Sequence, residues 1–499
     1  MSIFTNKSTG NCAGTTTNTQ ASEQVNTILP NPSTSDLPAT APAVVGSLPK
    51  SNKRTKRRPV GGLHLGSLPQ APTTSNSKFI FADQAFNPFF SNIRQNMELS
   101  PSGIKERIPI RFPEGMQYEP VTGSIKLNGN DQPLRHCIGM LNKFKLPPWL
   151  QRCLAPDTGE TLMAKCYEQI ENSEQKRLKG VMVHHSKVND GFLDHPLSIV
   201  AAMEKGTLNR YNNIWPFGIV KLRNKANDYI NASHIQYSDV DAASVSSSSQ
   251  VPPLLSLQEQ NDTCGTNRRY PKYISTQGPL PTTFDDFWTV VWDENCSVIV
   301  MLTKEEEMSR TKCHRYWPTE AEKIKTFDSI TVEFISETEH LTRSTLGSQV
   351  GIEDGITIRM FEMKRHGQEP RIVHHFQYSG WQDYGIPDNP LGTLKLVELA
   401  RKSQAELKQQ SSDAPMIVHC SAGCGRTGAF CTIDTVIQRL VDTNYLTEEE
   451  KAGEIDLVCQ TVSKFREQRM SMVQTLRQLV FVYEAILWWI LDVDSAQQQ

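Results

Sequence analysis

The sequence lacks a strong charge of either sign and any apolar run long enough to cross a bilayer. Its 52 Lys and Arg residues nearly balance 54 Asp and Glu residues, which leaves a net charge of −2 at pH 7. We therefore predict neither a nucleic-acid partner nor a membrane partner. The most apolar stretch, residues 479–491, contains Glu484 and is shorter than the ~20 residues that a spanning helix needs. No apolar segment typical of a secretory signal opens the chain, so we expect an intracellular protein of the cytoplasm, the nucleus or both.

Cysteine spacing excludes two further classes of protein. The 11 cysteines are irregularly spaced and include no Cys-x-x-Cys pair. This pattern is typical neither of a zinc site nor of a secreted disulfide scaffold. We therefore predict no bound metal, no other cofactor, and a reducing compartment.

Composition divides the chain into four parts. Residues 1–78 are rich in Ser, Thr, Asn and Pro and have few aromatics, which predicts a disordered tail because little apolar area is available to offset chain entropy. Residues 79–142 are mixed in composition, and we predict a partly ordered extension that packs on the domain behind it. Residues 143–493 have a globular pattern. A low-complexity piece at about 239–267 interrupts them, and we predict a surface insertion there.

Residues 417–428, IVHCSAGCGRTG, carry more chemical information than any other stretch. An apolar run ends in a cysteine, a glycine-containing loop follows, and a helix-like segment begins. Backbone N–H groups of such a strand–loop–helix connection form an anion nest, and the helix dipole adds positive potential. A thiol set there is expected to be largely thiolate, and Arg426 can hold two oxygens of a phosphate. The pattern predicts a nucleophile, Cys420, at a phosphate site; a turn with a buried structural cysteine is the alternative.

The same segment matches the signature HCSAGxGRTG of protein tyrosine phosphatases at every fixed position, and the chain resembles that family. Further motifs follow in the family's order, among them NRYNNIWPF, NDYINAS, YISTQGP, WQDYGIP and MVQTLRQLVFVYEA. The resemblance implies an α/β (α+β) fold, a highly twisted mixed β-sheet flanked by helices. NRYNNIWPF and the long polar tail are most similar to fungal members that act on mitogen-activated protein kinases.

The resemblance also implies roles for the signature residues. Cys420 attacks phosphorus in line and forms a phosphocysteine intermediate, while Arg426 and the loop N–H groups stabilise the equatorial oxygens. The Thr427 hydroxyl eases departure of the thiolate in the second step. His419 is predicted to hold the loop by hydrogen bonding. The loop residues predicted to line the phosphate site are Ser421, Ala422, Gly423, Cys424 and Gly425.

The motif WQDYGIP resembles the family's general-acid loop. It implies that Asp383 protonates the leaving tyrosyl oxygen and later acts as base on the attacking water; an ordinary turn cap is the alternative. Trp381 belongs to the same motif. Gln382 stands where the family usually has proline, and we expect this change to affect the loop backbone and the turnover rate more than the type of reaction.

Five other residues match family positions around the site. Glu307 is implied to orient the signature arginine. Tyr211 is implied to wall one side of a deep pocket that only phosphotyrosine can span, and Asn213 stands where many relatives carry an acid that binds the substrate backbone. Gln474 is implied to place the hydrolytic water, with Gln478 as its partner.

A basic cluster lies within the predicted tail, KRTKRRPVGGLHLGSLP at residues 53–69. Arg57 and Arg58, followed by Leu63-x-Leu65, resemble a docking peptide for mitogen-activated protein kinases. Such a peptide places basic residues on an acidic patch and two apolar side chains in a groove. A nuclear localisation signal and a solvated charge run are the alternatives, and a docking peptide and a nuclear signal can coexist in one cluster.

Together these features predict a monomeric tyrosine phosphatase whose partners are phosphotyrosine-containing proteins, in particular mitogen-activated protein kinases. One alternative is a tyrosine phosphatase of other substrates. The other is a non-catalytic or weakly catalytic protein that tethers a kinase through its tail, an interpretation that only Gln382 favours.

Overall fold

The structure is a computed structural model that describes residues 104–127, 146–187, 202, 204–217, 220, 222, 228–238, 270–342, 354–381, 385–407, 414–443 and 446–491. All of them belong to one unit, residues 72–499. The predicted tail and the predicted insertion at 239–267 lie outside the described residues, so both stay predictions.

A mixed sheet of eight strands forms the centre of the domain. The described part of the chain contains twelve strands in all, which are β1 (Met116–Glu119), β2 (Ser124–Leu127), β3 (Ala232–Gln236), β4 (Lys272–Thr276), β5 (Val298–Met301), β6 (Glu306–Glu307), β7 (Arg310–Thr311), β8 (Ile324–Phe327), β9 (Ile330–Thr342), β10 (Asp354–Arg365), β11 (Arg371–Tyr378) and β12 (Met416–His419). The order in the large sheet is β3-β4-β12-β5-β11-β10-β9-β8. Strands β4, β12, β5 and β11 run parallel, and the outer pairs are antiparallel. Strands β1-β2 and β6-β7 form separate two-stranded sheets.

Helices cover both faces of the sheet. They are α1 (Pro148–Leu154), α2 (Gly159–Lys187), α3 (Phe284–Asp293), α4 (Leu391–Glu406), α5 (Gly425–Val441), α6 (Glu448–Lys451), α7 (Leu457–Gln468) and α8 (Leu476–Ile490). The resulting mixed sheet with helices on both sides confirms the predicted fold class.

Side chains of the central strands alternate between two hydrophobic cores, because successive residues of a strand face opposite sides. On β5, Val298 and Val300 belong to the first core, whereas Ile299 and Met301 belong to the second. Helices α2, α4, α5, α7 and α8 contribute to the first core, and α3 contributes to the second. Because both faces are covered, a central strand reads as a continuous apolar run, as the residues before the signature loop do.

A disulfide with an S–S distance of 2.04 Å joins Cys166 of α2 to Cys459 of α7. Cysteine spacing gives no indication of this pair, because 293 residues separate the partners and they meet only through the packing of the two helices. The pair is unexpected for the reducing compartment that the cysteine pattern predicts, and it joins α2, which lies early in the chain, to α7.

The segment around β1 and β2 packs on the main domain. Ile110 and Met116 are buried in the first core, and Ile104, Ile108 and Phe112 pack against it. These apolar side chains account for the ordered packing of a segment whose composition is otherwise mixed.

Arg111 ties this segment to two other parts of the domain. Its Nε donates to Glu484 Oε2 on α8 at 2.9 Å, Nη2 donates to the Pro387 carbonyl at 2.9 Å, and Nη1 donates to the Asp388 carbonyl at 2.5 Å. The Glu484 side chain is only 1% exposed. Burial raises the pKa of Glu484 to about 7, and Arg111 opposes that rise. The buried carboxyl therefore depends on this guanidinium for compensation.

We expect Arg111→Ala to lower the free energy of unfolding by about 2 kcal/mol, because it leaves a buried carboxyl without its partner while the arginine's own partial exposure limits the loss. Urea unfolding followed by tryptophan fluorescence measures the change. Arg107 is a matched control: it is exposed and donates to the nearby carbonyls of Ile104 and Glu106. Arg107→Ala should change stability by less than about 0.5 kcal/mol, and equal losses in both variants would contradict the role of Arg111.

Candidate active site

The signature loop lies at the carboxyl end of β12, in the middle of the sheet. β12 is fully buried between the parallel strands β4 and β5. Residues 420–424 follow, and α5 begins at Gly425, so the predicted strand–loop–helix order is present. Gly423 has φ +70°, and a Cβ there would lie 2.2 Å from the carbonyl oxygen of Thr276. The loop can therefore take this path only with glycine at that point.

Arg469 fixes the direction of the loop's peptide groups. This completely buried side chain donates to the Ala422 carbonyl at 3.0 Å and to the Gly423 carbonyl at 2.8 Å. The hydroxyl of Ser275 also donates to the Gly423 carbonyl, at 2.8 Å. In a planar trans peptide the N–H points opposite to the C=O, so the N–H groups of Gly423 and Cys424 point away from Arg469. Arg469 was not predicted, because its segment KFREQRM contains several other charged residues and offers no local signal for a buried arginine.

Cys420 is 4% exposed, and its ionisation results from opposing effects. Burial alone would raise the pKa of the Cys420 thiol, but the Arg426 guanidinium, the Thr427 hydroxyl and the N–H groups of Thr427 and Cys424 together lower it below its usual value. For other cysteines burial wins: it raises the pKa of Cys424 to about 11 and that of Cys431 well above its usual range. Charge and loop dipoles therefore make Cys420 more easily ionised than Cys424 and Cys431.

The Thr427 hydroxyl is completely buried. Within the described part of the chain no other group makes a hydrogen bond of standard geometry with it. It is therefore available to the neighbouring Cys420 sulfur, whose pKa it helps to lower.

Arg426 is held in place by Glu307. Nη1 donates to Glu307 Oε1 at 2.7 Å and Nη2 to Oε2 at 3.1 Å, so the pair is bidentate. Nη1 also donates to the carbonyls of Leu302 at 3.0 Å and Trp381 at 2.8 Å. The Arg426 side chain is 3% exposed. The contact that the resemblance implied between Glu307 and Arg426 is thus present.

A tight hairpin between β6 and β7 positions Glu307. Met308 and Ser309 connect β6 to β7 with φ values of 49° and 56°, as both central residues of a type I′ turn require. Neither residue is glycine, so the turn carries a conformational cost that the surrounding contacts must offset. Glu307 Oε1 accepts from Thr303 Oγ1 at 2.7 Å and from the Lys304 N–H at 3.2 Å. These contacts fix the carboxylate that orients the arginine.

Tyr211 is hydrogen-bonded directly to the signature loop. The Ser421 hydroxyl donates to the Lys312 carbonyl at 2.8 Å, so the Tyr211 hydroxyl donates to Ser421 Oγ, also at 2.8 Å. Arg210 anchors the same segment by donating to the carbonyls of Gly278 and Pro279, each at 2.8 Å. The tyrosine ring therefore stands beside the loop, where the resemblance placed it. Asn213, two residues on, is half-buried.

His419 belongs to a chain of buried hydrogen bonds behind the loop. Its Nδ1 donates to the Cys420 carbonyl at 3.0 Å, because a carbonyl only accepts. Its Nε2 then accepts from the Tyr316 hydroxyl at 2.6 Å, and the Tyr316 oxygen accepts from His375 Nε2 at 2.9 Å. Burial lowers the pKa of His419 to about 4, although the hydrogen bond to Cys420 opposes this. A neutral His419 therefore holds the loop; its contact with Tyr316 was not predicted.

Gln474 and Gln478 lie against the first residue of α5. A Cβ on Gly425 would lie 2.7 Å from Gln478 Oε1 and 3.2 Å from the Cβ of Gln474. The Gln474 N–H donates to Gln478 Oε1 at 2.9 Å. Both predicted glutamines therefore border the signature loop, and Gln478 orients the backbone of Gln474.

Several predicted residues lie outside the described ranges. They are Gln382 and Asp383 of the general-acid motif and the tail residues Arg57, Arg58, Leu63 and Leu65. Trp381, which precedes Asp383, is described. It is 1% exposed, its Nε1 donates to the Gly385 carbonyl at 3.1 Å, and its ring packs on Phe481 of α8 at a centroid distance of 5.1 Å. The start of the motif is thus fixed beside Arg426, which donates to the Trp381 carbonyl.

The described residues form neither a metal-binding cluster nor a membrane-spanning helix. Those ranges contain no group of three or more His, Cys, Asp or Glu residues able to hold a metal ion. Across the same part of the chain, no helix combines the length and apolar character needed to cross a membrane.

Comparison with known proteins agrees with this geometry. The family model described as protein-tyrosine phosphatase matches residues 205–488. The match covers more than half of the sequence, and the chain belongs to the protein-tyrosine phosphatase family. Residues 104–187, which include β1, β2, α1 and α2, lie outside the matched segment.

Named relatives support the same assignment. Tyrosine-protein phosphatase Lar-like of Caenorhabditis elegans is 39% identical over 216 residues, which cover 43% of this chain and 8% of the relative. Tyrosine-protein phosphatase non-receptor type 9 of Homo sapiens is 36% identical over 226 residues, 43% of this chain and 34% of the relative. The solved structure of human protein tyrosine phosphatase non-receptor type 18 in complex with HER2 phosphopeptides has 29% sequence identity and a TM-score of 0.50, covering 68% of this chain and 96% of that chain. The chain thus spans about a third or less of the length of these curated relatives.

We expect Cys420 to react with iodoacetamide at lower pH than an ordinary cysteine, because its pKa is lowered. Arg426→Ala removes the charge that offsets burial, so the pH profile of alkylation should move to higher pH and the rate at pH 7 should fall about tenfold or more. Mass spectrometry of the alkylated peptide gives the rate. Arg477, an exposed arginine paired with Glu106, supplies the control: Arg477→Ala should leave the profile in place. An unchanged pH profile of Cys420 alkylation in the Arg426→Ala variant would contradict the role given to Arg426.

Proposed function

We propose that this protein hydrolyses phosphotyrosine in proteins through a phosphocysteine intermediate. The observation that carries the proposal is the lowered pKa of the buried Cys420 thiol beside Arg426, whose guanidinium Glu307 holds through two oxygens. A nucleophile, a fixed cation and inward N–H groups at one point suit the transfer of a phosphoryl group. Family membership supports the same reaction.

In the first step the Cys420 sulfur attacks phosphorus, so that an S–P bond forms as the P–O bond to tyrosine breaks. The electron pair of that bond leaves with the tyrosyl oxygen, which takes a proton from Asp383, the acid implied by the family motif. A phenol with a pKa of ~10 is a poor leaving group without that proton. Arg426 and the loop N–H groups hold the equatorial oxygens throughout.

In the second step water attacks phosphorus and gives a proton to Asp383 as the S–P bond breaks. The products are inorganic phosphate and the Cys420 thiolate. The buried Thr427 hydroxyl donates to the departing sulfur, since it has no hydrogen-bond partner of standard geometry in the described ranges. Gln474, which borders the signature loop, places the water.

Selectivity for phosphotyrosine follows from the depth of the site. Tyr211 is hydrogen-bonded to the loop through Ser421, so its ring forms a wall beside the thiolate. A phosphotyrosine side chain is long enough to reach past such a wall, whereas phosphoserine is too short. Asn213 follows on the same segment and would bind the substrate backbone.

We also propose mitogen-activated protein kinases as substrates. The support is the tail sequence with Arg57, Arg58, Leu63 and Leu65, whose pattern of basic and apolar residues suits a docking peptide. These kinases carry an activating phosphotyrosine, so the kinase that the tail binds would also be the substrate that the active site hydrolyses. On this proposal the protein acts as a monomer in the cytoplasm, the nucleus or both.

We expect the wild type to hydrolyse p-nitrophenyl phosphate and a phosphotyrosine peptide. Cys420→Ser should reduce both rates at least about a thousandfold because the nucleophile is gone. Asp383→Ala should lower kcat for the peptide about a hundredfold or more while peptide affinity is retained. Asp388, exposed and just beyond the motif, gives the control, and Asp388→Ala should stay within about twofold of the wild type.

Two results would contradict this assignment. A rate unaffected by Asp383→Ala would remove Asp383 from the role of general acid. A wild type without turnover that still binds a phosphorylated kinase would favour the tethering alternative.

The tail can be tested separately. We expect combined replacement of Arg57, Arg58, Leu63 and Leu65 by alanine to lower kcat/KM for a phosphorylated kinase about tenfold, because docking raises the local substrate concentration. Turnover of p-nitrophenyl phosphate should not change. Replacement of Lys53 and Arg54 removes equal charge outside the docking pattern. An equal loss in that control would indicate a general charge effect instead.

A further inference from the structure

The turn that carries Gln474, residues 471–474, contains two residues with unfavourable backbone conformations. Ser471 has φ 56° and Val473 has φ 61°. L residues rarely adopt this left-handed region, and a β-branched side chain such as valine is the least suited to it. Such conformations persist only where the surroundings fix them.

Arg466 of α7 supplies part of that fixation from beneath the turn. Its Nε donates to the Met472 carbonyl and its Nη2 to the Val473 carbonyl, both at 2.7 Å. The guanidinium is completely buried and pairs with two carboxylates of α2, Glu171 at 2.8 Å and Glu174 at 2.6 Å. Helix α2 therefore sets the position of the arginine that holds two of the turn's carbonyls.

Helix α2 also forms direct hydrogen bonds with both ends of the turn, Ser471 and Gln474. Glu174 Oε1 accepts from the Ser471 N–H at 2.7 Å, and the Tyr167 hydroxyl donates to the Gln474 carbonyl at 2.6 Å. Tyr167 is 8% exposed and Glu174 is 4% exposed. Burial raises the pKa of the Tyr167 hydroxyl, so the tyrosine remains a proton donor at neutral pH. Each residue from Ser471 to Gln474 thus has a backbone group held by α2 or by its partner arginine.

On its other side the turn lies against the signature loop and the start of α5. The Val473 N–H donates to the Cys424 carbonyl at 3.3 Å, and a Cβ on Gly428 would lie 2.3 Å from the Val473 nitrogen. There is no room for the turn to move toward α5. Loss of a contact with α2 would instead let the turn relax away from the signature loop and carry Gln474 with it.

We propose that Tyr167 and Glu174 are positioning residues, which hold Gln474 where it can direct water onto the phosphocysteine. This role rests on the proposed function of Gln474 and extends it to a helix outside the segment that matches the family. Neither residue touches the substrate. Both act on the second step, because Gln474 is assigned to water and not to the attack of the thiolate.

Tyr167→Phe tests this role, because it removes one hydroxyl and leaves the ring that packs in the core. We expect kcat and KM for a phosphotyrosine peptide to fall together, each about fivefold, while kcat/KM stays within about twofold of the wild type. Rapid-quench measurements should show a burst of about one dephosphorylated peptide per enzyme. Acid quenching should trap more phosphoenzyme than in the wild type. A merely structural role would not produce this combination.

Tyr483→Phe is the matched control. Tyr483 is a fully buried tyrosine of α8 in the same core, and its hydroxyl donates to Asp456 Oδ2 at 2.6 Å. Tyr483→Phe also removes one buried hydroxyl, and because that hydroxyl bonds a carboxylate, its thermal midpoint should fall at least as far as that of Tyr167→Phe. Tyr483→Phe should keep the wild-type kcat and KM. Glu174→Gln, which weakens the hold on Arg466 without changing shape, should show the Tyr167→Phe signature and serves as the test if that variant folds poorly.

The outcomes separate this role from the proposed function. An unchanged kcat in Tyr167→Phe and Glu174→Gln, or a kcat/KM that falls as much as kcat, would overturn the positioning role. A wild type without turnover would overturn the phosphatase function itself, and an active Cys420→Ser variant would overturn Cys420 as its nucleophile.

Discussion

Compensation of buried charge is the constraint on which the site depends. A thiolate at Cys420 is unfavourable in a buried position unless a cation and oriented dipoles lie beside it. That cation, Arg426, is itself buried and therefore requires the carboxylate of Glu307. Glu307 in turn is fixed by a hairpin with two left-handed residues. Each buried charge in this series has a partner that offsets its loss of hydration. The ionisation of the Cys420 sulfur therefore depends on the geometry of the whole site.

The orientation of the loop is imposed from outside the loop. Arg469 holds two of its carbonyls, Ser421 is bonded to Tyr211, and neutral His419 holds the Cys420 carbonyl. Because peptide groups are planar, fixing the carbonyls fixes the N–H groups that face an anion. The anion nest is thus prepared before any phosphate binds, and little reorganisation is needed during the reaction.

The sequence was sufficient for features that depend on consecutive residues. The strand, loop and helix around Cys420 follow from one short segment, and the apolar run before it matches a strand covered on both faces. Contacts between residues far apart along the chain could not be predicted from the sequence. Tyr167 and Gln474 are 307 positions apart, and Cys166 and Cys459 are 293 positions apart. Arg469 and Tyr316 were missed for the same reason, because only the folded arrangement gives them their partners. The resemblance supplied Glu307, whose spacing from Arg426 carries no local signal.

The position of α2 outside the family-matched segment has a consequence for the lifetime of the intermediate. A fragment trimmed to residues 205–488 would retain Cys420 and Arg426 and lose the helix that holds the Gln474 turn. While phosphorus is bonded to Cys420, the sulfur is not a thiolate and is much less nucleophilic toward an oxidant such as peroxide, since thiolates are the form that oxidises. On the proposed mechanism, sequence changes in this helix would therefore alter how long the enzyme is protected from oxidative inactivation in each turnover.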